Sequence, residues 1–153
     1  MDQLRDPQAL GYLVLRAFYA QFWALQFYGK VHDQESGITA LRNLGIWSEH
    51  TTAWFLKTTP LPAWSLAPYT FAVPWVEITL GLLFALGLWQ RLTVVTAALL
   101  LVSLDIGLML QGKHEDVARN MLFLFPLVIA LQWEEKGRAL SLDGLLARRS
   151  QRR

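Results

Sequence analysis

With 153 residues the chain is long enough for one domain, yet 54% of it is hydrophobic and only 17% charged. A soluble domain has about a quarter of its residues charged, so the composition points to a membrane. A net charge of +2 gives no basis for a nucleic-acid partner, and the absence of cysteine excludes disulfides, thiolate-held metals, iron–sulfur clusters and cysteine nucleophiles.

A bilayer core takes about 20 apolar residues of helix. Four stretches approach that length: residues 10–28, 69–88, 92–110 and 117–133. The first carries Arg16, Gln21 and Gln26, and no small-residue cleavage site follows a short apolar core. It therefore reads as a mature helix and not as a signal peptide. Residues 30–68 form a long loop with prolines at 60, 62 and 68. Its Trp47, Trp54, Phe55 and Trp64 predict short helices that lie on the membrane surface or cap the bundle. Only Trp89, Gln90 and Arg91 separate the second and third stretches, which demands a tight antiparallel hairpin. A polar turn, residues 111–116, joins the third and fourth, and residues 134–153 form a basic tail. The expected fold is all-α. It is a single integral membrane domain, a four-helix bundle with a long outer loop containing short helices.

Four spans place the two termini and the Trp89–Arg91 turn on one side. That side holds Arg5, Arg91, Lys136, Arg138, Arg148, Arg149, Arg152 and Arg153; the other holds Lys30, Arg42, Lys57 and Lys113. The richer side is expected to be cytoplasmic. This predicts a multi-pass protein of the bacterial inner membrane with both termini inside, and the long loop and all three histidines outside.

Arg16, Glu77, Asp105 and Arg119 fall within the spans, and Asn120 adjoins them. A charge in the bilayer centre costs at least about 2.5–3.5 kcal/mol, so such groups are expected to pair. Helical rise puts Glu77 and Asp105 at comparable depths, roughly 8–10 Å below the outer ends of their helices. The expectation is one polar cluster, with Arg16 on Glu77 and Arg119 on Asp105, or the partners exchanged. Such a cluster either fixes helix register or offers a quinone or proton site. Gly81 and Gly87 suit close helix packing, and Pro74 frees a backbone carbonyl one turn before Glu77. His32, His50 and His114 lie outside the spans, which leaves no axial haem pair on facing helices. His114-Glu115-Asp116 lacks a metal-binding helical spacing and reads as a solvated turn. No cofactor held covalently or by metal ligation is expected.

These residues resemble the DoxX family of small four-helix bacterial membrane proteins, with its DoxD-like and MauE-like relatives. The first helix has an Arg in an apolar run and ends in Gly29-Lys30. The second reads Pro74-Trp75-Val76-Glu77, then Gly81-Leu82-Leu83 and Leu86-Gly87-Leu88, and closes at Arg91. Asn120 opens the fourth helix, and Ser141-Leu142-Asp143 matches the family's closing "SLD". The tryptophan-rich first loop departs from the pattern. The resemblance carries the family positions onto Arg16, Lys30, Glu77, Arg91, Asn120 and Asp143, none an established catalytic residue. It implies a subunit of a respiratory or redox system, as DoxD-like members are described for thiosulfate:quinone oxidoreductase. Such a subunit anchors a partner and contributes a quinone site. The alternatives are a non-enzymatic assembly factor for a periplasmic client, as for MauE-like members, or a small-molecule or proton transporter using Glu77 and Asp105. The implied partners are the lipid bilayer and a membrane or periplasmic protein docked through the 30–68 loop, with a homo-oligomer left open.

Overall fold

The computed structural model describes residues 6–32, 37–138 and 141–145. It contains five α-helices: α1 (Pro7–Val31), α2 (Arg42–Thr58), α3 (Ala63–Leu86), α4 (Gln90–Leu110) and α5 (His114–Gly137). Among the described residues the only β pairing is an isolated bridge between His32 and Thr39. The chain divides into two compact units, one comprising Met1–Gln21 and Leu80–Arg153, the other Phe22–Thr79. Residues Arg5, Arg148, Arg149, Arg152 and Arg153, on which part of the expected orientation rests, lie outside the described residues.

α3, α4 and α5 are long and apolar enough to cross a membrane. Their outer faces explain why. On α4 the exposed residues are Leu92, Val95, Leu99, Val102, Ile106 and Met109, at alternating three- and four-residue spacing. A soluble helix places polar residues on that face. Here the polar groups lie inside: Gln90, Thr93 and Asp105 are buried on the opposite stripe. α1 is 25 residues long, which gives about 37 Å of helix, but it is less apolar than the other three. Arg16, Gln21, Gln26 and Lys30 dilute it, and it does not count among the helices apolar enough to span.

Several boundaries differ from the expectation. α1 starts earlier and runs through Lys30, which belongs to its last turn and not to a loop. The 30–68 segment contains a 17-residue helix, α2. α3 begins at Ala63 and takes in both Pro68 and Pro74. A proline removes one helical hydrogen bond and crowds the carbonyl four residues earlier, but the apolar sequence on both sides carries the helix through. α5 continues past Trp133 to Gly137.

In the first unit α4 packs against α5. The amino-terminal half of α1 meets α5 through two reciprocal glycine seats. A Cβ at Gly11 would lie 2.6 Å from the Trp133 ring, and one at Gly137 would overlap the Tyr12 ring. Tyr19 donates to the Phe123 carbonyl, and its ring stacks on Phe84 at 5.3 Å. In the second unit α2 packs on the start of α3 through hydroxyls. Ser48 and Thr52 lie 3.0 and 2.6 Å from the Thr70 Oγ1. Asn43 at the start of α2 donates to the carbonyls of Val31 and Ile38. Of the tryptophans expected at the interface, Trp47 is half-buried, Trp54 is 37% exposed and Trp64 is 80% exposed.

The α3–α4 turn depends on Gly87, whose φ is +67°. The Gly87 N–H and the Leu88 N–H both donate to the Leu83 carbonyl, which closes the helix in a left-handed cap. A Cβ at Gly87 would also overlap the Arg16 guanidinium. Gly112, in the α4–α5 turn, has a similar φ of +71° and nothing within 4 Å. A left-handed residue with a side chain costs roughly 1–2 kcal/mol. Gly87→Ala should therefore lower the melting temperature clearly more than Gly112→Ala, because it also displaces Arg16. Equal shifts in a detergent-solubilised melt would show that Arg16 is not seated there.

Candidate functional site

The buried charged residues Glu77, Arg16 and Asp105 each belong to a separate arrangement. In the Phe22–Thr79 unit, Lys30 in the last turn of α1 meets Glu77 on α3. Its Nζ lies 2.7 and 2.6 Å from the two carboxylate oxygens. The side chains are 10% and 2% exposed. The ammonium also donates to the Gln26 carbonyl at 3.2 Å and sits 4.9 Å from the centroid of the Trp47 ring. Three hydrogen bonds and an aromatic face use the donors of the ammonium fully. α2 is thus placed by a cation that α1 and α3 already hold.

The other two arrangements belong to the unit containing α4 and α5. Arg16, buried on α1, donates from Nε to the Phe84 carbonyl and from Nη2 to the Ala85 carbonyl, each at 3.0 Å. These are carbonyls of the last turn of α3, which lack helical partners and carry the negative end of the helix dipole. The guanidinium therefore caps α3. Behind it the Asp143 N–H reaches the Gly87 carbonyl at 3.4 Å. Ser141 caps the turn that holds Asp143, accepting the Gly144 N–H at 3.2 Å. The third arrangement is small: Asn120 on α5 donates to Asp105 on α4 at 2.8 Å. Asp105 is buried and forms no ion pair with a cation among the described residues.

Of the five residues expected in one polar cluster, the structure brings together Asp105 and Asn120. Glu77 takes Lys30 as its partner. Arg16 binds backbone carbonyls and no expected carboxylate. Arg119 lies 3.6 Å from Asp116 one turn earlier, with both side chains largely exposed. Lys30 is not the expected partner of Glu77 because the expected first span ends at residue 28. A helix carried to residue 31 puts Lys30 where a partner for Glu77 is needed. The carbonyl partners of Arg16 leave no trace in side-chain identity.

An open cavity of about 870 Å³ lies beside the α3–α4 turn, lined by Gln90, Arg91, Glu134, Glu135, Arg138 and Asp143, with Trp89 at its edge. Of its lining, only Arg91 and Asp143 are among the expected family positions. Among the described residues no group of three or more His, Asp or Glu side chains is placed to hold a metal ion. His32 stacks on Tyr28 and lies 3.0 Å from the Thr39 hydroxyl; His50 and His114 are exposed.

Removing one partner of a buried ion pair costs about 3–5 kcal/mol, because the other charge is stranded. Lys30→Ala should therefore destabilise the protein severely, and Lys30→Met with Glu77→Met should recover much of the loss. Arg119→Ala, at an exposed pair, should leave the melt nearly unchanged. Purely additive effects at Lys30 and Glu77 would rule out their coupling.

The family model described as DoxX matches residues 11–106. No curated protein and no solved structure matches the chain significantly. The match runs from the Arg16 helix through the Lys30–Glu77 pair and the Gly87 turn to Asp105, and it covers more than half of the sequence. This chain is a membrane protein that belongs to the DoxX family.

Proposed function

We propose that the chain is a four-span subunit of a quinone-linked redox system in the bacterial inner membrane. It bears no redox centre of its own, anchors a partner, and offers Asp105 and Asn120 to a quinone head group. The observation that carries this reading is the buried Asp105, whose hydrogen-bond partner is neutral. A carboxyl beside that amide can relay a proton to a quinone oxygen as electrons arrive from the partner, while the second amide N–H of Asn120 orients the carbonyl. The DoxD-like resemblance supports the same role. α1 supplies the fourth span in this reading. Its length suffices to cross, Arg16 and Lys30 are satisfied inside the protein, and Leu13, Val14, Phe18 and Leu25 face outward. The lysine and arginine balance then favours cytoplasmic termini.

A second reading, an assembly factor for a periplasmic client, rests on α2 and its flanks. Ile46 on α2 is 62% exposed, and Leu41 before it and Trp64 in the first turn of α3 are 63% and 80% exposed.

Two measurements test these proposals. The chain has no cysteine, so Glu49→Cys and Arg91→Cys each give a single label. Residue 49 should react with an impermeant maleimide in intact cells and residue 91 only after lysis. The reverse pattern would invert the topology. Asp105→Asn should fold, keep its partner, and abolish electron transfer between partner and quinone. Full quinone-dependent activity in this variant would exclude Asp105 from the reaction. A co-purified periplasmic protein with no quinone binding would favour the second reading.

A further inference from the structure

The cavity beside the α3–α4 turn lies where the apolar runs of α4 and α5 begin and end, which is the headgroup level of a bilayer. Trp89, 67% exposed on its edge, is the residue type that settles at that level. Two guanidinium groups, Arg91 and Arg138, and three carboxylates, Glu134, Glu135 and Asp143, line it. Both arginines act electrostatically on Glu134. The site therefore suits neither a simple anion nor a simple cation.

What it lacks can be read from its unpaired atoms. Gln90 is 6% exposed; its Nε2 reaches the Gly87 carbonyl at 3.4 Å, while its Oε1 is buried without a partner. The Glu134 Oε2 is likewise buried and unpaired. Both belong to side chains that line the cavity, and both are acceptors. An unpaired buried polar atom costs about 1–3 kcal/mol, so a hydrogen-bond donor in the cavity is favoured wherever a rotation of either side chain turns its acceptor toward it. The acid-rich lining favours one with positive charge. The two arginines that also line the cavity favour a phosphate linked to it.

We propose that this cavity holds the headgroup of a phospholipid bearing a primary ammonium, such as phosphatidylethanolamine. The ammonium N–H groups donate to Gln90 and Glu134, the phosphate lies between Arg91 and Arg138, and the acyl chains run down the apolar outer face of α4. This inference depends on membrane insertion and not on the redox role.

The test compares lipids of identical acyl chains added to delipidated protein in detergent, read by thermal melting and by native mass spectrometry. Phosphatidylethanolamine should raise the melting temperature saturably. Phosphatidylcholine keeps the charge and the phosphate but has no N–H donor, and phosphatidylglycerol keeps the phosphate without a cation; neither should match it. Glu134→Gln and Gln90→Met should each weaken phosphatidylethanolamine binding by about tenfold, the effect of one charge-assisted hydrogen bond. Should these variants fail to fold, competition between the three lipids on the unaltered protein decides the matter. Free phosphoethanolamine that displaces the lipid at similar concentration would identify a soluble zwitterion as the source of the same chemistry. Equal effects of all three lipids, or no effect of any, would overturn the proposal and leave the cavity to water.

Discussion

The contact of Arg16 with the last carbonyls of α3 is the interaction on which the α4–α5 unit depends. A buried helix terminus and a buried guanidinium both lack water, and each unmet group would cost at least about 1–3 kcal/mol. Bringing the two together removes both costs. The contact requires the turn to pass close beneath the guanidinium, and only a residue without Cβ allows that approach. The same residue must also take a left-handed conformation to end α3. Gly87 meets both demands. Once the turn is fixed, its Gly87 carbonyl is free to take the Asp143 N–H. One arginine on α1 thereby sets the end of α3, the start of α4 and the position of the Ser141–Asp143 segment.

Lys30 does comparable work in the Phe22–Thr79 unit under the same constraint. A lone Glu77 on an apolar helix would have to lie neutral or find a cation. The cation comes from the last turn of α1, where a lysine also meets the negative end of its own helix dipole. Because Trp47 covers the ammonium, the pair that joins α1 to α3 also positions α2. The exchange of polarity between inside and outside follows directly. Polar side chains concentrate on the stripes where partners exist, and the outer faces of the spans carry leucine, valine and isoleucine.

The all-α class and the membrane setting were legible in the sequence because both rest on long apolar runs, which need no tertiary information. α3, α4 and α5 emerged that way. The charged residues were legible as a problem but not as a solution. Arg16, Glu77, Asp105 and Arg119 had to be satisfied, yet side-chain identity suggests only side-chain partners. The carbonyls of Phe84 and Ala85 are backbone groups whose availability depends on where α3 ends. The expected span runs on to Leu88 with Gly87 as a packing residue, whereas α3 ends at Leu86 and Gly87 is its left-handed cap. The other misreadings came from boundaries. Pro68 falls in the expected loop because a proline is unfavourable inside a helix, yet α3 runs through it. Lys30 looked like a loop residue because a charge usually ends a span.

The satisfied and unsatisfied groups also separate architecture from chemistry. A ligand entering at Lys30 and Glu77 would have to break three hydrogen bonds and a cation–aromatic contact, all already made inside the protein. The arginine cap on α3 is committed in the same way, since withdrawing it would strand two carbonyls. Both arrangements therefore argue for an architectural role. Asp105 differs because its hydrogen bond comes from the Asn120 amide and no cation among the described residues holds it. The cavity beside the α3–α4 turn differs because Gln90 and Glu134 hold acceptors with nothing to accept. The quinone and lipid proposals draw on this spare acceptor capacity, whereas Glu77 is committed to Lys30.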